Sequence, residues 1–318
     1  MNILKMELTE MEMDTNKIKL ITHNGSFHAD DIFAAATLSL VLEKKGESFE
    51  IIRTRDKEII EKGEYVFDVG GIYDESINRF DHHQKEGAGG RENKIPYSSF
   101  GLIWKHFGMD LCENNTDIWN LIDSKIVAPI DAVDNGVDII TPIYEGIMPY
   151  GGEQPFLIFS PTWQEGEEHV DEIFLEQVKN VKKILEREIE VAKADSLGRK
   201  LIEEAYEKAK DKRIIELQNS FPRYLFQDVL SKFPEPIYVI YISSHYDTWK
   251  VEAIKKSPGT MESRKPLPKE WRGFLDNDPK LKEVTGIPDV MFCHKNGFLI
   301  TTKTKESAIK LAELALLG

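Results

Sequence analysis

Strand-like and helix-like runs alternate through the first seventy residues, and ligand-type side chains gather where the strand-like runs end. Residues 18–22 (IKLIT) read as a short buried strand, and the Gly-containing loop HNGSFHADD follows. Residues 32–42 (IFAAATLSLVL) are apolar nearly all round, as a helix buried against a sheet requires. Phe49–Thr54 is a second strand, 58–62 a helical turn, and Tyr65–Val69 a third strand that runs into Gly70 and Gly71. Such an order spells an α/β unit with a parallel sheet. Functional residues of these folds collect at the carboxyl ends of strands, where His23, Asp68 and the triplet Asp81-His82-His83 fall.

Further along, 98–107 and 116–133 read as helices, and 84–96 as a polar, Gly-rich mobile loop. The Pro- and Gly-rich stretch 142–162 reads as a border. A long amphipathic segment then covers about 168–210, with a break expected at Gly198. Strands are expected at 214–218 and in a hairpin over 237–254 that turns at 243–247, and a last helix at 306–317. The expected organisation is a catalytic domain at 17–165, a helical connector at 166–210, and an α+β substrate-binding domain at 211–318.

Four clusters carry chemistry: His23, His28 and Asp30 with the adjoining Asp31; Asp68; Asp81-His82-His83; and Asp131 with Asp134. Imidazole and carboxylate together suit Mn²⁺, Fe²⁺, Zn²⁺ or Co²⁺. So many donors exceed the needs of one ion and suit two, roughly 3.5–4 Å apart, which together activate water and neutralise a phosphoryl group under attack. Taken singly, Ser26 or Asp30 could equally cap the helix that begins at Asp31. His106 reads as a core histidine, and His169 and His245 as surface groups.

In order and spacing, HNGSFHADD, VFDVGG, FDHHQ and IDAVDNG resemble the four motifs of the DHH phosphoesterase superfamily. More closely, the chain resembles the melanocyte-proliferating-gene (MYG) exonuclease family. That likeness includes RTRD at 53–56, PTW at 161–163, SRKPLPKEWRG at 263–273 and TGIPD at 285–289. It implies one ion on His23, His28 and Asp68, and a second on Asp30, Asp68, His82 and a fourth-motif Asp. Asp68 bridges them. Asp134 is preferred as that fourth ligand over Asp131, which would instead orient a histidine. His28 stands where the superfamily carries an Asp and adds a nitrogen donor. His83 would contact the phosphate or protonate the leaving oxygen, beside Asp68 and His82 as catalytic groups, with Asp81 structural. Two divalent ions are expected, Mn²⁺ ahead of Zn²⁺, Fe²⁺ or Mg²⁺.

The chain carries 41 Lys and Arg against 55 Asp and Glu, a net charge of −14. That excludes a protein that coats duplex nucleic acid, which needs a basic surface. Residues 249–272, however, carry seven Lys and Arg against three Glu, between Trp249 and Trp271. Basic groups beside aromatics suit a single strand. Arg264, Lys265 and Arg272 are the expected phosphate contacts, against the alternative of a solvated basic face. His294 and the stretch Gly297–Lys303, with Thr301, Thr302 and Lys303, match the superfamily's phosphate-holding turn without its paired glycines.

The expected activity is 3′-to-5′ exoribonucleolysis that releases nucleoside monophosphates from single-stranded RNA or a short oligonucleotide. The alternatives are a small-molecule phosphatase or pyrophosphatase, and a metal-dependent regulatory protein without catalysis. Cys112 and Cys293 form no paired motif, which suits a reducing cytoplasm, and no membrane contact is expected. A homo-oligomer is left open.

Overall fold

Continuous burial of Leu20, Ile21 and Thr22 in β1 (Ile18–Thr22) and near-total burial of α1 (Ala29–Lys45) seed the first half of the protein. Every residue of α1 from Ala29 to Leu42 is buried. Its Ile, Phe and Leu side chains each contribute about 1.5–3 kcal/mol by leaving water. The helix ends where Gly46 adopts φ +73°, a conformation that glycine reaches without steric penalty. After it come β2 (Phe49–Arg53), α2 (Lys57–Glu61), β3 (Tyr65–Phe67), β4 (Tyr73–Asp74) and β5 (Arg79–Phe80). The sheet order is β2-β1-β3-β5-β4, with all neighbours parallel except β4 and β5. Residues 17–147, 150–151, 153–243 and 247–318 are described by this computed structural model. The expected turn residue His245 lies outside them.

β3 stops at Phe67, two residues before the expected end. Asp68 takes φ +55°, which extended backbone cannot continue. The helices α3 (Ser99–Leu111), α4 (Thr116–Ile122) and α5 (Ala128–Asp134) follow. Where the spacing predicts one helix over 116–133, a π-helical turn at Asp123–Val127 separates α4 from α5. Such widened turns recur at functional sites. The loop at 84–96 is tied down rather than mobile, because Arg91 pairs with Asp123 and Asp131.

A short helix, α6 (Gln154–Leu157), interrupts the border stretch, and α7 (Val170–Lys208) covers the expected connector. No break occurs at Gly198. A Cβ there would sit 2.6 Å from Leu225 Cδ2, so the glycine admits a neighbouring helix instead of ending its own. The chain divides into two compact units between Lys193 and Ala194, inside α7.

The second unit continues with β6 (Ile214–Glu216), α8 (Arg223–Leu230), β7 (Tyr238–Ile242), β8 (Trp249–Ala253), α9 (Pro279–Thr285), β9 (Val290–Cys293), β10 (Leu299–Thr302) and α10 (Lys305–Leu317). Its sheet runs β6-β7-β8-β10-β9, antiparallel except for β6 with β7. Successive side chains of β7 feed opposite faces. Tyr238 and Ile240 join the core that includes Leu311 and Ala312 of α10, while Val239 and Tyr241 join the core with Leu225 and Phe226 of α8. Among the described residues, no helix is long and apolar enough to cross a membrane.

Candidate metal centre

The loop between β1 and α1 is fixed from three directions. Asp31, in the first turn of α1, reaches back to accept the His28 N–H at 3.1 Å. The Arg53 guanidinium donates to the Gly25 carbonyl at 2.8 Å and lies over the Phe27 and Phe174 rings, at 5.9 and 4.5 Å. It also pairs with Asp171 at 2.6 Å. The RTRD motif therefore supplies the side chain that holds the His23–His28 loop.

Against this loop the structure gathers the expected donors. His23 Nε2 lies 3.1 Å from Asp68 Oδ2 and 3.3 Å from Asp31 Oδ2. His82 Nε2 lies 3.3 Å from Asp68 Oδ1, 3.2 Å from Asp134 Oδ2 and 3.9 Å from Asp30 Oδ2. Among the described residues, three sets bring their donor atoms within 4.8 Å of one another: His23, His28 and Asp68; Asp68, His82 and His83; His28, Asp30 and Asp134. Asp68 belongs to two of these sets, as a bridging carboxylate would. Its position at φ +55° is one that Asp tolerates better than most residues. Ser99 Oγ donates to Asp68 Oδ1 at 3.2 Å and steadies it.

Buried carboxylates crowd together in this cluster. Asp30 and Asp31 are fully buried, Asp68 nearly so. Both Asp30 oxygens, Asp31 Oδ2, Asp134 Oδ2 and His82 Nε2 are buried with no hydrogen-bond partner among the described residues. Buried polar groups are ordinarily paired. Burial, reinforced by the Asp68 charge, pushes Asp30 well above the usual carboxylate range and Asp31 up to about 8. Burial opposes ionisation of Asp68 too, but the His23 and His82 imidazoles that face it hold it well below that range. Unpaired oxygen and nitrogen atoms converging in one place are what a divalent ion requires, so the residues present fit a metal.

Asp131 is not part of this cluster. Its carboxylate accepts from Ser98 Oγ at 2.6 Å, the Gly101 N–H at 2.9 Å and Arg91 at 2.6 Å. A side chain at Gly101 would collide with it. Asp131 therefore orients no histidine; it locks α5 to α3, which in turn presents Asp134. Asp81 does orient one. Its Oδ1 lies 2.7 Å from His83 Nδ1, while its Oδ2 accepts the Gly71 N–H at 2.6 Å. The Asp81 contact outweighs burial and raises the His83 pKa. His83 is also open to solvent, with its side chain 61% exposed, and His28 is exposed as well. Glu153, before α6, is a neighbour that spacing did not signal. Its charge acts on His28 and Asp134, and burial raises its own pKa.

The second unit treats the expected phosphate contacts differently. Arg264 donates to the Pro236 and Ser231 carbonyls at 2.9 and 2.6 Å. Lys265 donates to the Leu316 carbonyl at 2.7 Å, and Arg272 Nε to the Leu267 carbonyl at 2.8 Å. Each of these expected phosphate contacts donates to a backbone carbonyl within the unit. Thr302 Oγ1 donates to the Asp289 carbonyl, and His294 Nδ1 accepts the Asn296 N–H. Thr301 is half-buried and Lys303 exposed. Trp271 is buried in the core. His106 is half-buried between the Phe80 and Phe107 rings, and His169 is exposed beside Glu172.

Residues 19–316 match the family model MYG1_exonuc, described as an uncharacterised protein family (UPF0160). The chain is 32% identical to an MYG1 protein of Schizosaccharomyces pombe, over 95% of this chain and 98% of that one. It is 31% identical to the MYG1 exonuclease of Homo sapiens, over 93% of this chain and 85% of that one. An MYG1 protein of Chlamydia pneumoniae is 31% identical, over 93% and 95%.

Proposed function

The chain belongs to the MYG1 exonuclease family, and from that membership and the donor cluster we propose that it is a metal-dependent phosphodiesterase, removing nucleotides from the 3′ end of single-stranded RNA as nucleoside monophosphates. The observation that carries this reading is the set of buried Asp30, Asp31, His82 and Asp134 atoms that lack a hydrogen bond and converge around Asp68. His23, His28 and Asp68 would hold one divalent ion, and Asp30, Asp68, His82 and Asp134 the other, with Mn²⁺ preferred for its tolerance of mixed nitrogen and oxygen donors. Bound there, such ions supply Lewis acidity, drawing charge from the phosphoryl oxygens and lowering the pKa of water.

The protein's own groups position and protonate. Asp68 stays anionic because His23, His82 and Ser99 all face it. Arg53 and Asp31 keep His28 in place through the backbone of its loop. Asp81 occupies Nδ1 of His83, which leaves Nε2 to face a substrate oxygen. In the reaction, a water oxygen bonds to phosphorus and the bond from phosphorus to the 3′ oxygen breaks. His83 gives that oxygen a proton and recovers one from the attacking water.

A second reading, hydrolysis of a small phosphate compound, is favoured by one observation: Arg264, Lys265 and Arg272 are bonded to backbone carbonyls. The test is 5′-labelled RNA incubated with Mn²⁺, alongside a dinucleotide and pyrophosphate. Stepwise shortening from the 3′ end is the expected result. Intact RNA across a range of divalent metals would overturn the exonuclease reading, and cleavage of pyrophosphate alone would establish the second.

A further inference from the structure

One exposed ring borders the metal loop and has no part in the chemistry described so far. Trp163, in the PTW motif, is 91% exposed, although an indole ordinarily contributes by being buried. Its turn is built rather than slack: Thr162 donates through both its N–H and its hydroxyl to Glu165, at 2.9 and 2.8 Å. Beside it lies a cavity of about 190 Å³, lined by Ser26 and Phe27, by residues 160–163, and by Gly166, Glu167 and Val170. Ser26 and Phe27 sit between His23 and His28, so the cavity abuts the loop that carries two of the metal donors. Its volume is below the roughly 300–1,000 Å³ of sites that enclose a whole drug-sized ligand, so it accepts one ring system. Within twenty residues the chain also exposes Tyr144, Tyr150 and Phe159, each by more than half.

We propose that Trp163 and the cavity it forms with Ser26 and Phe27 are a nucleobase subsite, in which the terminal base of the strand stacks on the indole while its phosphate lies at the metal cluster. The inference rests on the phosphodiesterase reading for its substrate class. Stacking on an aromatic face is sequence-tolerant, because every base presents a π-face. The subsite therefore secures a strand end without demanding a particular nucleotide, and it does so without the cations of the second unit.

The test compares wild type, Trp163→Ala and Trp163→Phe, each with Mn²⁺, titrated with adenosine 5′-monophosphate and with ribose 5-phosphate, which lacks the base. Intrinsic tryptophan fluorescence and calorimetry provide the readouts. The expected result is that Trp163→Ala weakens the nucleotide by about 5- to 100-fold, a loss matching the stacking of one base. The same variant abolishes the fluorescence quench and leaves ribose 5-phosphate unchanged, while Trp163→Phe restores most of the nucleotide affinity. Equal affinity of wild type and Trp163→Ala for the nucleotide, or equal weakening of both ligands, would overturn the subsite. The readout is binding, so wild type that binds the nucleotide through Trp163 but hydrolyses no RNA would defeat the exonuclease reading alone.

Discussion

Glu252 in the second unit and Asp30 in the first are both buried carboxylates, and their surroundings differ completely. Glu252 receives Arg223, the Gln227 amide and the Tyr241 hydroxyl, so each of its oxygens is satisfied. Among the described residues neither oxygen of Asp30 has a hydrogen-bond partner, His82 comes no nearer than 3.9 Å, and Asp68, Asp134 and Asp31 all add like charge around it. A folded chain bears that cost when something outside the polypeptide removes it. The contrast separates a carboxylate that holds a domain together from one that waits for a cation. It extends to the basic groups: Arg264, Lys265 and Arg272 look like ligand contacts in sequence, yet in space they bind carbonyls.

The largest effect that tests this contrast is at Asp68. Asp68→Asn keeps a residue that tolerates φ +55° and removes the shared charge. We expect kcat/KM to fall by roughly 10³-fold, the scale of losing a key electrostatic contact to the transition state. Stability in the presence of a chelator should fall only modestly, because the variant loses the charge that faces His23 and His82 while like charge beside Asp30 and Asp31 is relieved. A loss of folding under the same conditions would mean that Asp68 is structural.

Glu252→Ala should do the reverse. Leaving Arg223, Gln227 and Tyr241 without their acceptor is expected to cost about 3 kcal/mol in denaturant unfolding, with kcat/KM per folded molecule unchanged.

Asp81→Asn probes the pair that orients His83. Asp81 raises the His83 pKa above its ordinary value, so the imidazolium persists to higher pH and activity falls as pH rises through that raised value. The variant should shift this alkaline limb toward lower pH and lower kcat by about 10–100-fold, as removal of an orienting partner does. A pH–rate profile with an unmoved limb would remove His83 as the acid.

The smallest effect is expected at Arg264. Arg264→Met loses two bonds to backbone carbonyls, about 1–2 kcal/mol of stability. It should leave KM for RNA and its salt dependence unchanged, whereas a phosphate clamp would lower the salt slope.

Much of the metal centre is legible in sequence because its donors sit where strands end. The apolar runs at 18–22 and 65–67 place His23 and Asp68 side by side through pairing of β1 with β3. The choice between Asp131 and Asp134 is different in kind. It depends on Arg91, Ser98 and Gly101 converging on one of them, and those contacts span 30 to 40 residues of chain. No local pattern encodes them. The same holds for Arg264, whose carbonyl partners lie 28 and 33 residues away, and for Gly198, whose meaning depends on Leu225. Periodicity reports which face is buried; it does not report which polar partner arrives from elsewhere.

The central claim is that the cluster around Asp68 holds divalent ions. Its most direct test is elemental analysis after dialysis against Mn²⁺ and removal of loosely held ions. The account predicts two ions per wild-type chain and clear loss of metal in Asp68→Asn, with Glu252→Ala retaining both. A wild-type protein that is folded and carries no metal, or an Asp68→Asn variant that retains the full complement, would contradict it.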